Sequence, residues 1–372
     1  MVYADYAATA TMRVAAKEAM LDAMEDVGNP SSIHRAGERA RERVETARKE
    51  MAELLNCRPQ EIFFTSGGTE ANNWAISAAR ESLVVLSAFE HHSIMLPVSR
   101  GEEFAQVKPE SDGVLDPEKV VKSLPERASF VTIMTVNNEI GTIQPIEEIT
   151  REVRRHGSWA VHTDAVQAVG HIPIDVQNLG VDMLSLSAHK FGGPQGVGAL
   201  YCRTGCVPLP LLFGGGQENG RRSGTENVAG IVGMCEALKI AQSRMQEETV
   251  HIRELRDWLV GEIMTIPGAR INGDLERRVA GNINCSFDGV EGESLVLMLD
   301  QAGICVSAGS ACASGSLEPS HVMTALGQTP PKAYEAIRIS LGEENTKDDV
   351  SYIAEQLSAI VRELRGRRGR QR

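Results

Sequence analysis

Lys190 stands in the run S-L-S-A-H-K-F-G-G-P (Ser185 to Pro194), just past an apolar stretch and just before a Gly-Gly-Pro turn. A lysine held against a buried sheet end loses its proton easily and forms a Schiff base with a carbonyl compound. Taken singly, a loop lysine is an exposed surface residue, so its neighbours must carry the reading. Asp164 lies 26 positions earlier, in T-D-A-V-Q-A-V-G. An aspartate at a strand end serves as a helix N-cap, or it pairs with the ring nitrogen of pyridoxal phosphate and keeps that ring able to absorb electrons. The turn from Ser66 to Glu70, S-G-G-T-E, puts small residues and free N–H groups at a helix start, which suits a phosphate.

Cys312 has a different setting. The run Ser307 to Ser316 is rich in Ala, Ser and Gly, is expected to pack poorly, and reads as a mobile surface loop. A thiolate nucleophile needs such access. Cys305, seven residues earlier in an apolar run, reads as a structural thiol. Cys202 and Cys206 are four apart, with no second pair and no nearby His to complete a zinc set, and read the same way.

These groups need a frame. Apolar, strand-like runs occur at Ile62 to Thr65, Leu83 to Ala88, Phe130 to Val136, Ala160 to Asp164, Met183 to Ser187 and Gly198 to Cys202. Helical patterns separate them, among them Thr69 to Arg80 and Pro145 to His156. Uninterrupted apolar strands between helices predict a mostly parallel sheet covered on both faces. Ligands then bind beyond the carboxyl ends of the strands, where Ser66 to Thr69, Asn137, Asn138, Asp164, Gln167, Ser187, His189 and Lys190 all fall. A long helix is expected from about Thr225 to Ile266. Strands Asn282 to Phe287 and Ala336 to Leu341, with helices Glu293 to Ala302 and Lys347 to Arg365, form a smaller unit. The N-terminal segment reads as helical and as packing with that unit. The expected division is 12–266 as a large domain, and 1–11 with 267–372 as a small α+β domain carrying the Cys312 loop.

The 372 residues suit two such domains, and 42% apolar with only 4% aromatic residues implies an aliphatic core. A formal net charge of −12 argues against a nucleic-acid partner. The basic stretch Arg365 to Arg372 reads as a solvated tail. No signal-like or membrane-spanning stretch stands out, and seven scattered Cys do not form a disulfide framework. The expected setting is soluble and cytoplasmic.

The chain resembles the class V, fold-type-I pyridoxal-phosphate enzymes, and within them the cysteine desulfurases of the NifS/IscS type. The resemblance covers nearly the whole chain. It runs through Y-A-D-Y-A-A-T-A, F-T-S-G-G-T-E-A-N-N, E-H-H-S, V-N-N-E-I-G, T-D-A-V-Q-A-V-G, the lysine run, G-G-G-Q-E-N-G-R-R-S-G-T-E-N, S-A-G-S-A-C-A-S-G-S-L-E-P-S-H-V and I-R-I-S-L-G.

The resemblance implies a role for each matching residue. Lys190 becomes the Schiff-base lysine, Asp164 the ring-nitrogen partner, and His91 the imidazole stacked on the ring. Gln167 becomes the donor to the ring hydroxyl. Gly68, Thr69, Ser187 and His189 become phosphate-site residues, and Thr225 reaches the phosphate from the other subunit of a homodimer. Asn138 contacts cofactor and substrate, and Arg338 holds the substrate carboxylate with its bidentate fork. Cys312, in the S-A-C setting of the longer-loop group, takes the sulfur of L-cysteine as a persulfide and leaves L-alanine. The sulfur then passes to an acceptor or iron–sulfur scaffold protein, for cluster assembly or other thio-cofactor synthesis. No resident metal is implied, although Cys312 would ligate a cluster transiently. Two departures stand out: His92 beside His91 offers an alternative for the same role, and Phe89 precedes the E-H pair where a small polar residue is common. The rival readings are a lyase of the same class, which would not need Cys312, and a non-catalytic scaffold.

Overall fold

The computed structural model describes residues 1–79, 82–124, 129–157, 160–308 and 319–369, so Cys312 lies outside the described residues. Its largest sheet joins β2 (Ile62–Thr65), β3 (Leu83–Ser87), β4 (Phe104–Val107), β5 (Ser129–Thr132), β6 (Ala160–Asp164), β7 (Met183–Ser187) and β8 (Gly198–Cys202). The seven strands lie in the order β2-β8-β7-β6-β5-β3-β4. Strands β7, β6, β5, β3 and β4 pair in parallel, and β8 runs antiparallel to β2 and β7. The mostly parallel sheet expected from the sequence is therefore present. Successive strand residues go to opposite faces: Phe63, Val84 and Leu86 enter one core cluster, Phe64 and Val85 another. That two-sided burial is why these strands read as unbroken apolar runs.

A smaller antiparallel sheet has the order β12-β13-β10-β9, from β9 (Ala269–Ile271), β10 (Asn282–Phe287), β12 (Ser307–Ala308) and β13 (Ala336–Ser340). Its own core includes Phe287, Leu295, Ile337 and Ile339, and it takes in Val2 and Ala4 from the N-terminus. The helix Val228–Met264 serves both units: Ile231 and Leu238 pack in the core of the large sheet, Leu255, Leu259 and Ile263 in that of the small one.

Two expectations need correction. The N-terminus is not helical at its start: β1 (Val2–Tyr3) pairs in parallel with β11 (Ile304–Cys305), and the first helix, α1, begins at Val14. β-prone Val2 and Tyr3 gain more by completing that edge than by an isolated helical turn. The strand at Phe130 ends at Thr132, short of Val136. The chain there still follows β6, with Thr135 N donating to Asp164 O at 2.9 Å, but it turns away so that Gln144 N reaches Thr135 O. Edge strand β4 was missed because its side chains are largely exposed and carry no apolar run.

Candidate active site

A cavity of about 340 Å³ opens beyond the carboxyl ends of β6 and β7. The structure brings to it Lys190, Asp164, His91, Gln167, Asn138 and Arg338, together with Gly68, Thr69, Ser187 and His189. Thr225 is exposed and does not line it. On one flank of the Cys312 stretch His321 lines the cavity wall, and on the other Ser307 stands opposite Arg338 in the β12–β13 register.

Each side chain has a local reason for its place. Asp164 closes β6 and is 4% exposed. Its oxygens accept from Val166 N at 2.9 Å and from Asn72 Nδ2 at 2.7 Å. Lys190 follows β7 on a short 3₁₀ turn, and its Nζ donates to Ala7 O and Ala8 O at 2.7 and 2.9 Å. Gln167 Nε2 donates to the same Ala7 O at 2.9 Å. The N-terminal strap thus forms one wall. The turn before α3 (Gly68–Ile76) passes through Gly67 at φ +150°, a conformation that L side chains rarely adopt. A Cβ at Gly198 would lie 2.8 Å from Gly67 Cα, and one at Gly68 would lie 2.6 Å from Val166 Cγ2. Glycine at these places lets the turn lie close against β8 and the residues after β6.

The histidines sit in low-polarity surroundings. His91 caps α4 (His92–Gly101), with Nδ1 accepting from Ser93 N at 3.1 Å and 2.7 Å from Ser93 Oγ. The Nδ1 position is therefore an acceptor, and the neutral ring carries its proton on Nε2. Burial holds its pKa below the usual imidazole range, Lys190 and His92 push the same way, and Asp164 opposes them. His92 lines the cavity too, its ring centroid 6.5 Å from that of His91 and 4.8 Å from His321. Burial pushes His189 and His321 down to about 4.

Sequence reasoning gave no role to several groups here. Asn72 joins Asp164 to Ser93, with a second bond to Ser93 Oγ at 2.9 Å. Glu90, buried behind His91, accepts from Ser87 Oγ at 2.5 Å and Met134 N at 2.9 Å. Glu139 lines the cavity and accepts from Ser320 Oγ at 2.6 Å. Burial pushes both carboxyls up to about 8. Their signal was acidic residues inside otherwise apolar or small-residue runs, E-H-H-S and V-N-N-E-I-G.

The glycine-rich stretch before Thr225 is tied down by ions. Glu218, at φ +49°, pairs with buried Arg48 at 2.7 Å and accepts from Phe64 N at 3.1 Å. Arg222 pairs with Glu70 at 2.8 Å, and Glu70 accepts from Ser66 N at 2.8 Å. The stretch is thus fastened to the turn that begins α3.

Among the described residues, no cluster of His, Cys, Asp or Glu could hold a metal ion, and no helix is long and apolar enough to cross a membrane.

Residues 2–353 match the model of the aminotransferase class-V family. A cysteine desulfurase IscS of Dictyoglomus turgidum is 45% identical over 376 residues, covering 98% of this chain and 95% of the relative. A solved NifS-like protein superposes with a TM-score of 0.91 at 38% identity, covering 97% of this chain and 99% of its own. Another structure, SspA in complex with cysteine, gives a TM-score of 0.80 at 31% identity over 93% of this chain and 100% of its own. Enzymes of this family use pyridoxal phosphate. With these likenesses and the Lys190–Asp164–His91 cavity together, the chain belongs to the class-V aminotransferase family and, within it, to the cysteine desulfurases of the NifS/IscS type.

Proposed function

We propose that the Lys190 cavity is where this desulfurase holds pyridoxal 5'-phosphate and L-cysteine, and that Cys312 receives the sulfur. The observation that carries the reading is the convergence of Lys190, Asp164 and His91, from three separate strand ends, on one cavity that Arg338 of the small sheet completes. The donor set fits the cofactor. Asp164 offers a buried carboxylate, Ser187, Thr69 and the start of α3 offer donors for a phosphate, and Asn138 Oδ1 is buried without a hydrogen-bond partner. Bound there, the cofactor supplies a sink for the electrons released at the substrate α carbon.

The chain's own groups do the rest. Arg338 and Asn138 orient the substrate carboxylate. The Lys190 amine takes the α proton. His91, held neutral by burial, keeps a proton on Nε2 for transfer within the cavity. The Cys312 thiolate attacks the substrate sulfur; an S–S bond forms, the C–S bond breaks, and its electron pair stays with the carbon skeleton that becomes L-alanine after protonation. The persulfide sulfur then passes to an acceptor or iron–sulfur scaffold protein. The anchored flanks support this role for Cys312.

In this reading the molecule is a cytoplasmic homodimer whose Thr225 completes the partner's phosphate site, with 12–266 as the large domain and 1–11 with 267–372 as the small one, the end of the long helix packing in the core of the small domain. Borohydride reduction of the yellow holoenzyme followed by peptide mapping tests the site. The cofactor is expected on the Lys190 peptide, and finding it on any other lysine overturns the assignment. A fully active monomer in sedimentation overturns the Thr225 role.

A further inference from the structure

Arg338 lies at the centre of β13, 3% exposed, and nothing in its own strand explains why its guanidinium faces the cavity in one orientation. Its partners do. Nη1 donates to Asn138 O at 2.8 Å, and Nη2 donates to Asp5 Oδ1 at 2.9 Å. Asp5 is itself held: its Oδ2 accepts from Ser307 Oγ at 2.8 Å, and Ser307 is the residue that faces Arg338 across the β12–β13 ladder. The backbone on both sides of Asp5 is pinned to β13. Ser340 N donates to Ala4 O at 2.7 Å, Tyr6 N to Ser340 O at 3.2 Å, and Ala7 N to Ser340 Oγ at 2.9 Å. A carboxylate on a clamped strap therefore grips one end of the guanidinium while a backbone carbonyl grips the other.

A guanidinium carries five N–H groups, and these two bonds use two of them. Arg338 Nε is buried and has no hydrogen-bond partner. A buried N–H of a charged group left without a partner is costly, so the site stands ready for an acceptor with negative charge. We propose that Asp5 is a positioning residue of this enzyme: it locks Arg338 so that the guanidinium turns its remaining N–H groups to the α-carboxylate of the substrate. This rests on the reading of Arg338 as the carboxylate-holding group. Asp5 touches neither substrate nor cofactor and acts through Arg338 alone. The Y-A-D-Y stretch at the N-terminus thereby sets substrate recognition at a residue more than three hundred positions away in the chain.

The test uses the holoenzyme with Asp5→Ala, Asp5→Asn and Ser307→Ala, and compares L-cysteine with cysteamine, which carries the same thiol and amine but no carboxylate. With Asp5→Ala, KM for L-cysteine is expected to rise about tenfold, the usual scale of a lost charge-assisted bond, while kcat falls far less. Asp5→Asn keeps an acceptor oxygen for Nη2 and is expected to restore most of the loss. Ser307→Ala, which frees Asp5 without removing it, is expected to raise KM in the same direction by less. Inhibition by cysteamine is expected to stay as in the parent. An unchanged KM in both Asp5 variants overturns the proposal, as does weakening of cysteamine by the same factor as cysteine, which marks a general structural defect. Arg338→Lys separates the underlying reading: if it leaves KM for L-cysteine unchanged, Arg338 does not hold the carboxylate and the proposal falls with it.

Discussion

The side-chain amide of Asn72 donates to Asp164 Oδ2 at 2.7 Å. The same nitrogen donates to Ser93 Oγ at 2.9 Å, and that hydroxyl lies 2.7 Å from His91 Nδ1. One buried amide thus links the Asp164 carboxylate with the His91 imidazole, and both keep their orientation through it. Because Asp164 is an acceptor, the amide nitrogen must face it.

Asn72→Asp is therefore expected to harm cofactor retention more than Asn72→Ala, although it is the closer isostere. It sets a second carboxyl against Asp164, and two such groups cannot both ionise at no cost. Titrating the apoprotein with pyridoxal phosphate measures this. Equal or tighter binding by Asn72→Asp contradicts the linkage.

Stability should peak near neutral pH for two opposed reasons. Glu90 and Glu139 are pushed up from 4.5 to about 8, so the fold binds more protons than the unfolded chain across that window. Stability then falls as pH rises through it. His162 is pushed down from 6.5 to about 3, and His189 and His321 to about 4. The fold there binds fewer protons than the unfolded chain, so stability falls as pH drops below 6.5. The three histidines outnumber the two carboxyls below that point, which puts the maximum of Tm near pH 6.5. Glu139→Gln should flatten the alkaline decline. A Tm still climbing from pH 6.5 to 8 would rule out the raised carboxyls.

Two glycines give opposite outcomes. Gly198→Ala drives a Cβ to 2.6 Å from Leu186 O and 2.8 Å from Gly67 Cα, so backbone must move. A loss of about 1–3 kcal/mol is expected, with weaker cofactor retention because the displaced turn opens α3. Gly261 is exposed in the helix Val228–Met264, and its Cβ position meets nothing within 4 Å. Gly261→Ala should stabilise by about 0.5–1 kcal/mol. Chemical denaturation checks both, and a neutral Gly198→Ala would contradict the close packing.

Much of this was legible in the chain. Ala160 to Asp164, Met183 to Ser187 and Gly198 to Cys202 read as strands at their observed bounds because two-sided burial leaves no polar interruption. The site residues read well because strand ends collect them. What escaped was two-residue pairing, as at Val2–Tyr3 and Ser307–Ala308, where no period can develop. Asp5 escaped for the same reason: its meaning lies in Arg338, a contact across 333 positions that no local pattern encodes. Glu90 and Glu139 were passed over as ordinary acids, because an acidic residue in a short mixed run is a weak local sign of full burial.

The central claim is that Cys312 accepts the sulfur, and replacing it by Ser tests that most directly. Half-buried Cys305 provides the control, and Cys305→Ser should keep most turnover. In Cys312→Ser the cofactor should still bind, and L-cysteine should still change its colour, because Lys190, Asp164 and Arg338 are intact. A hydroxyl is a far poorer nucleophile toward sulfur than a thiolate. The measurement is alanine formed per active site, together with the mass of the peptide carrying residue 312 after L-cysteine is added. The parent should form alanine while that peptide gains one sulfur atom, and Cys312→Ser should do neither. Alanine from Cys312→Ser at the parent's rate would contradict the account and leave a lyase in its place.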